Sequence, residues 1–277
     1  MTAGRPLYFP LKPEPLRLQP GLVRFGADFG NGEADQRFFP RDESTPYYLA
    51  EKRRVLARHP ARDAYCIADE LDEACVARAQ AWMVATLLGE GQGDASAFSR
   101  SELGLGLVED FAVMRVDASG ADRIVWLHAC FPSGWRPEHV VGRSFSQIHA
   151  PIPAIELVLR KAPSLVEAMV TRGPYVRFVW TISADAELDH HPDEGTRRAW
   201  SDQTARGFLR VERQTIVPLA EVKGCVFLIR TYLYGFDELS PEQRGILAEA
   251  VRLMPPELAA YKGLTAAAPH ALRLLQR

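Results

Sequence analysis

Phe111-Ala112-Val113-Met114-Arg115-Val116, the pair Ser119-Gly120, and Arg123-Ile124-Val125-Trp126-Leu127-His128-Ala129-Cys130 form the stretch on which the fold turns. Upstream, apolar residues recur at helical spacing. Here they run together in β-branched and aromatic side chains around a Ser-Gly turn, which is the pattern of a hairpin. Downstream, residues 175–182, 207–219 and 224–234 read as three more strands. Between the two groups lie helical patterns, one starting at Pro153 with Ile155, Leu157, Val158 and Leu159, another opened by Pro163-Ser164 and running through Val170. Two strands, a helical insert and three strands predict an α+β protein: one PAS-like antiparallel sheet with helices enclosing a ligand cavity against one face.

Working outward, residues 1–45 carry Pro6, Pro10, Pro13, Pro15 and Pro20 among Leu7, Tyr8, Phe9, Leu16, Leu18, Leu22, Val23 and Phe25. That mixture predicts an extended arm laid over a core. Ser44 or Thr45 can cap a helix from Pro46 to the neighbourhood of His59-Pro60. Asp69 or Asp72 opens a second, with Leu71, Cys75, Ala79, Trp82, Met83 and Leu87 at helical spacing and Gly89 as its stop. Residues 91–101 read as a loop. Ser240-Pro241-Glu242 starts a helix to Met254, and residues 255–277 are helical in composition. The expected organisation is an N-terminal arm with helices (1–100) packed on a core with C-terminal helices (101–277), forming one compact unit.

The 277 residues can bury a core without staples. A net charge of −2 gives no reason to expect nucleic acid or an anionic membrane as partner. No apolar run is long enough to span a bilayer, and the first residues lack a signal-peptide pattern, so a cytoplasmic protein is expected. Cys66, Cys75, Cys130 and Cys225 form no C-x-x-C pair, which argues against zinc or an iron–sulfur cluster held by cysteine alone. There is no G-x-S-x-G, no P-loop, no H-E-x-x-H, and no G-x-G-x-x-G opening a helix after a strand.

Among the histidines, His59, His139 and His270 lie at helix ends or in polar segments, and His128 sits inside a strand. His190-His191, with Asp185, Glu187, Asp189, Asp193 and Glu194, reads as a solvated acidic loop, with metal binding as the alternative. His149 is different. It lies in Ile148-His149-Ala150-Pro151-Ile152-Pro153, after Phe131-Pro132-Ser133-Gly134-Trp135-Arg136-Pro137, and the prolines fix the backbone that follows it. A neutral imidazole there can ligate a metal or haem iron, take a proton, or hydrogen-bond a loop. Alternation places Leu209, Val211, Arg213, Thr215 and Val217 on one strand face and Phe208, Arg210, Glu212, Gln214 and Ile216 on the other. Val226, Leu228, Arg230, Tyr232 and Tyr234 likewise share a face. Arg213 and Arg230 therefore need partners on apolar faces: a carboxylate of the chain, such as Glu212 or Asp110, or a ligand carboxylate.

The segment 131–137, Gly142, the segment 148–153, Leu209-Arg210-Val211-Glu212-Arg213-Gln214-Thr215 and Ile229-Arg230-Thr231-Tyr232 occur in an order, over about residues 107–235, that resembles the haem-dependent oxidative N-demethylase alpha-subunit-like family. The resemblance implies a PAS-like fold holding haem b with a histidine on the iron. It also implies oxidation of a small secondary or tertiary methylamine with dioxygen and release of formaldehyde. His149 matches the iron ligand, and Arg213 and Arg230 match propionate-binding or cavity-lining positions. In Arg177-Phe178-Val179-Trp180, Val179 stands where relatives tend to carry asparagine, which leaves the substrate open. The chain has no flavin, nicotinamide or cluster motif, so electrons are expected from separate flavin/iron–sulfur reductase subunits. Two other outcomes remain: a haem-binding sensor or carrier on the same fold, and a PAS-like module for another small molecule with His149 structural.

Overall fold

In a computed structural model of the protein, the described residues are 4–14, 19–93, 99–193, 198–265 and 267–276. Helix α1 (Thr45–Arg58) starts where the Asp42 carboxylate takes the Ser44 N–H and hydroxyl, with Pro46 in its first turn. Helix α2 (Glu70–Gly89) is capped by Asp69, whose side chain accepts the Asp72 N–H at 2.8 Å. Its Cys75, Ala79, Met83 and Leu87 are buried as their spacing predicts, while Leu71 turns outward at 63% exposure.

Seven strands follow in one sheet: β1 (Val23–Arg24), β2 (Asp63–Tyr65), β3 (Asp110–Val116), β4 (Asp122–His128), β5 (Tyr175–Ser183), β6 (Phe208–Leu219) and β7 (Gly224–Gly235). Their spatial order is β1-β5-β6-β7-β3-β4-β2, and every neighbouring pair is antiparallel. The expected hairpin is β3–β4, and the three expected later strands are β5, β6 and β7. Both outer strands come from before residue 100. At two and three residues they are too short for alternation to reveal, and short edges give other chains little to pair with.

Between β2 and β3, α3 (Arg100–Gly106) takes over part of the expected 91–101 loop, of which residues 94–98 lie outside the described set. The insert holds α4 (Phe145–His149), α5 (Glu156–Arg160) and α6 (Ala162–Thr171). The helix expected from Pro153 starts only at Glu156, because Ala154 sits at φ 58°, left-handed backbone that ends a right-handed helix before it begins. After the sheet come α7 (Pro241–Arg252), with a Ser240/Gln243 capping box, α8 (Pro256–Tyr261) and α9 (Ala268–Leu275). The chain is α+β, as expected. Among the described residues no helix is long and apolar enough to cross a membrane.

The sheet is covered on both faces. On one, α2 packs on Phe111, Val113, Val217, Val226 and Leu228, while α7, α9 and Tyr8 of the arm pack on Leu209, Val211, Tyr232 and Tyr234. The arm is pinned there: the Tyr234 hydroxyl accepts the Tyr8 N–H at 3.0 Å and donates to the Pro6 carbonyl at 2.8 Å. Pro15, Leu16 and Leu18 of the expected arm lie outside the described residues. On the other face, α4 and α6 set Phe145, Ile148, Val166, Met169 and Val170 against Ala112, Met114 and Ile216.

Candidate functional site

Register shows which side chains share the α4–α6 face. Arg177 pairs with Gln214 and Gln214 with Ile229; Val179 pairs with Glu212 and Glu212 with Thr231. Cross-strand partners project to the same side, so these residues form two adjacent rows there. Along β6, Ile216 lies beneath α6, and Arg210 lies beneath the segment 131–133, to which it is bonded. Glu212 and Gln214 fall between the two covers. Arg177, Val179, Gln214, Phe227 and Ile229 are all only half-buried, although they stand on the inner strands of the sheet. A groove thus runs across the middle of this face.

His149 closes one end of α4 beside that groove. Its ring stacks on Phe145 with centroids 4.2 Å apart, and its Nδ1 lies 2.7 Å from the Phe145 carbonyl oxygen. A carbonyl only accepts, so Nδ1 carries the proton and Nε2 keeps its lone pair. A histidine in a last helical turn capping a carbonyl four residues back is a common C-terminal device. Here it also fixes the tautomer. Burial foremost, and secondarily the Arg177 charge, hold the imidazole below its ordinary pKa against the pull of the Phe145 carbonyl. A neutral ring with one nitrogen anchored and the other available is what a metal asks of histidine.

Arg177 has a buried Nε with no hydrogen-bond partner among the described residues. Burial lowers its pKa, and the Glu212 carboxylate acts the other way. An orphaned guanidinium N–H inside a half-open groove is a place for an anionic or carbonyl group.

The sheet separates the three residues that the sequence reading groups. Arg213 and Arg230 are register partners on the opposite face from His149. Arg213 is 2% exposed, donates to the Arg37 carbonyl at 3.0 Å, and lies over the rings of Tyr8 and Phe25. Arg230 is 1% exposed, bonds Asp42 Oδ2 at 3.0 Å, and lies over Tyr48 and Tyr232. Neither Glu212 nor Asp110 is the partner: Glu212 projects from the other face, and Asp110 pairs with Lys52 at 3.1 Å. The parity of the strands was legible; which face the groove occupies was not. Arg177 shares a face with Val179 and Gln214 rather than with Arg213.

The acidic loop is not solvated. Asp185, Asp189, His190 and His191 are all buried. Arg210 draws the loop inward, bonding Ser133 Oγ at 2.7 Å and the carbonyls of Glu187, Phe131 and Leu188. His190 pairs with Asp185 at 2.9 Å, and Arg62 with Asp189 at 2.8 Å. Gly134, at φ 84°, turns the segment back so that its N–H reaches the His190 carbonyl. A charge is buried far less unfavourably with its partner than without, and a sequence of charges does not display its partners. Glu194 lies outside the described residues. A cavity of about 340 Å³ opens where this wall meets the end of α8, lined by Gly134, His190, His191, Pro192, Ala260 and Tyr261.

Two further clusters bring metal-binding side chains together. The ligand atoms of Asp110, His128 and Cys130 lie within 4.8 Å of one another, as do those of Glu138, His191 and Asp193. In the first, the Lys52 ammonium already stands against Asp110. In the second, Arg136 bonds both oxygens of Asp193 at 2.6 Å. Each has its positive charge from the chain.

The fold and groove define an α+β protein with a helical insert over one sheet face and a neutral histidine at the edge of the opening. A family model described as haem-dependent oxidative N-demethylase, alpha subunit-like, matches residues 103–272, which include the insert, the groove strands, α7 and α8. The chain belongs to that family.

Proposed function

We propose that this chain is the haem-b-binding, PAS-like subunit of an oxidoreductase that removes a methyl group from a small amine, with His149 as the residue that would hold the iron. The observation that carries the reading is the His149 ring: Nδ1 tied to the Phe145 carbonyl, and Nε2 making no hydrogen bond among the described residues. The groove beside it supplies what an amphipathic macrocycle needs: an apolar floor in Val179, Phe227 and Ile229, and a guanidinium, Arg177, with an unpaired N–H for a propionate. Arg213 and Arg230 act in this reading through the arm, not on the cofactor.

Haem bound there supplies dioxygen activation, so that a methylamine, dioxygen, two electrons and two protons become the demethylated amine, formaldehyde and water. The chain's own part would be to hold the iron through His149, to seat the acidic groups on Arg177, and to keep the amine in the groove. Two electrons per turnover require a reductase, and no cysteine spacing here holds a cluster, so separate flavin or iron–sulfur subunits deliver them.

Reconstitution with haem tests the proposal. The expected result is a Soret band that is lost in His149→Ala while circular dichroism is unchanged. No band in the wild-type protein overturns the reading. Formaldehyde release from methylamines with a supplied reductase then separates an enzyme from a haem sensor or carrier.

A further inference from the structure

Under the arm, side chains from three neighbouring strands converge without completing one another. β6 sends Arg213, β7 sends Arg230 and Tyr232, and Glu109 stands just before β3, whose Asp110 pairs with Ile229. All four are sealed from solvent, none more than 2% exposed. Arg213 Nε, Arg230 Nε and Nη1, the Tyr232 hydroxyl and Glu109 Oε1 are buried and make no hydrogen bond among the described residues. The groups are nonetheless within electrostatic reach: Arg230, Lys52 and Arg213 pull on Glu109, and both arginines and Glu109 act on Tyr232. Polar groups that act on one another yet do not bond stand around a shared gap, and what fills such a gap is a partner for them.

The charges say what kind of partner. Arg230 has Asp42, and Lys52 has Asp110. Asp35 acts on the Tyr8 hydroxyl and spends its Oδ2 on the N–H groups of Phe29 and Asn31. Arg213 forms no ion pair among the described residues; it donates to the Arg37 carbonyl. Glu109 is the carboxyl placed to answer it. Burial, the foremost influence, holds that carboxyl above its ordinary pKa against the pull of Arg230, Lys52 and Arg213. A carboxyl that keeps its proton donates one hydrogen bond and brings no charge. The gap is therefore ringed by donors and carries one unmatched positive charge. A metal cation is the wrong sign, and a phosphate dianion brings more charge than Arg213 matches. A singly charged planar oxyanion suits guanidinium N–H groups. Its walls are aromatic: the rings of Tyr8 and Tyr232 are 5.2 Å apart, with Arg213 over the first and Arg230 over the second.

We propose that this chamber between the sheet and the arm binds a small monocarboxylate, of the size of formate or acetate, on Arg213 and Arg230, with Tyr232 and Glu109 donating to it. The chamber lies on the opposite face from His149 and does not rest on the haem reading.

Thermal melting of the full chain in formate, in acetate and, at equal ionic strength, in chloride tests this. The two carboxylates raise the melting temperature saturably, as ligands of a folded state do, and chloride does not. Removing Arg213 strands no carboxylate, so Arg213→Gln folds, with circular dichroism as the check, and it binds formate about tenfold more weakly or worse. Glu109→Gln keeps a donor where the acid stood. It retains the formate effect and melts no lower than wild type. The same melting curve in formate and chloride, or an equal formate response in Arg213→Gln, overturns the site. So does a destabilised Glu109→Gln without a formate response, which makes Glu109 itself the carboxylate partner of Arg213. A crystal structure grown in formate in which waters alone bridge the four side chains overturns it as well. Haem loading separates a free acid from a propionate: Arg213→Gln takes up haem as wild type does, and a Soret band lost together with the formate effect gives the arginine to the cofactor and removes the site.

Discussion

The two faces of the sheet use the same side chains to opposite ends. On the arm face, Arg230 meets Asp42 and is roofed by Tyr48 and Tyr232, and Arg213 is held by a carbonyl and two rings. On the groove face, Arg177 keeps an orphaned Nε and Glu212 has no ion-pair partner among the described residues. All three arginines keep a buried N–H without a hydrogen-bond partner among the described residues, Arg177 and Arg213 at Nε and Arg230 at Nε and Nη1. What separates the two faces is cover: Arg213 and Arg230 are sealed in the interior, whereas Arg177 stands in a half-buried row.

The contrast can be broken at its strongest point first. Asp42→Ala strands the Arg230 guanidinium in the interior and lowers unfolding free energy by about 3–5 kcal/mol in urea denaturation, and Arg230→Met added to it recovers part of the loss. Arg210→Met, which releases the 131–133 and 187–188 segments, costs about 2–3 kcal/mol and exposes the loop to proteolysis near His190. If Asp42→Ala costs no more than a surface substitution, the Asp42–Arg230 pair does not hold the arm face.

Protons sharpen the comparison on a smaller scale. Burial, and next the Lys52 ammonium, hold the His128 imidazole below its ordinary pKa against Asp63 and Asp110. Unfolding frees it to take up a proton, so below about pH 6.5 the unfolded state binds more protons than the folded one. His128 therefore adds stability that is fully present above that pH and falls away as pH drops toward the depressed folded value, by at most about 1.4 kcal/mol per pH unit. Denaturation midpoints measured from pH 7.5 to 5 show this slope, and His128→Gln loses it.

The smallest stability effect belongs to the groove. Arg177→Met changes unfolding free energy by about 1 kcal/mol or less, because it removes a half-buried charge that has no ion-pair partner. The same substitution weakens haem retention, read as faster Soret decay on transfer to apomyoglobin. A large stability loss with unchanged retention would place Arg177 with the arm-face arginines.

Much of this was readable beforehand, for a definable reason. The β3–β4 hairpin, α2 with its Cys75-Ala79-Met83-Leu87 stripe, the three long strands and the Ser240 cap all depend on local periodicity and local hydrogen bonds, which sequence displays. The strands β1 and β2 have too few residues to show a period, and the helix expected at Pro153 failed on one left-handed residue. The acidic segment 185–191 misled for a different reason: Arg62 pairs with Asp189, His190 pairs with Asp185, and Arg210 draws the backbone inward through the Glu187 and Leu188 carbonyls.

By itself, then, the sequence determined the α+β element order, the alternation of side chains along β6 and β7, and the family. Only the tertiary structure decided which parity faces the arm and which the groove. Alternation says that Arg213 and Glu212 point opposite ways, but the layer each one meets is set by where Tyr8, α2 and the 145–171 helices come to rest. Those are contacts between segments far apart in the chain, and no local pattern encodes which carboxylate arrives at which arginine.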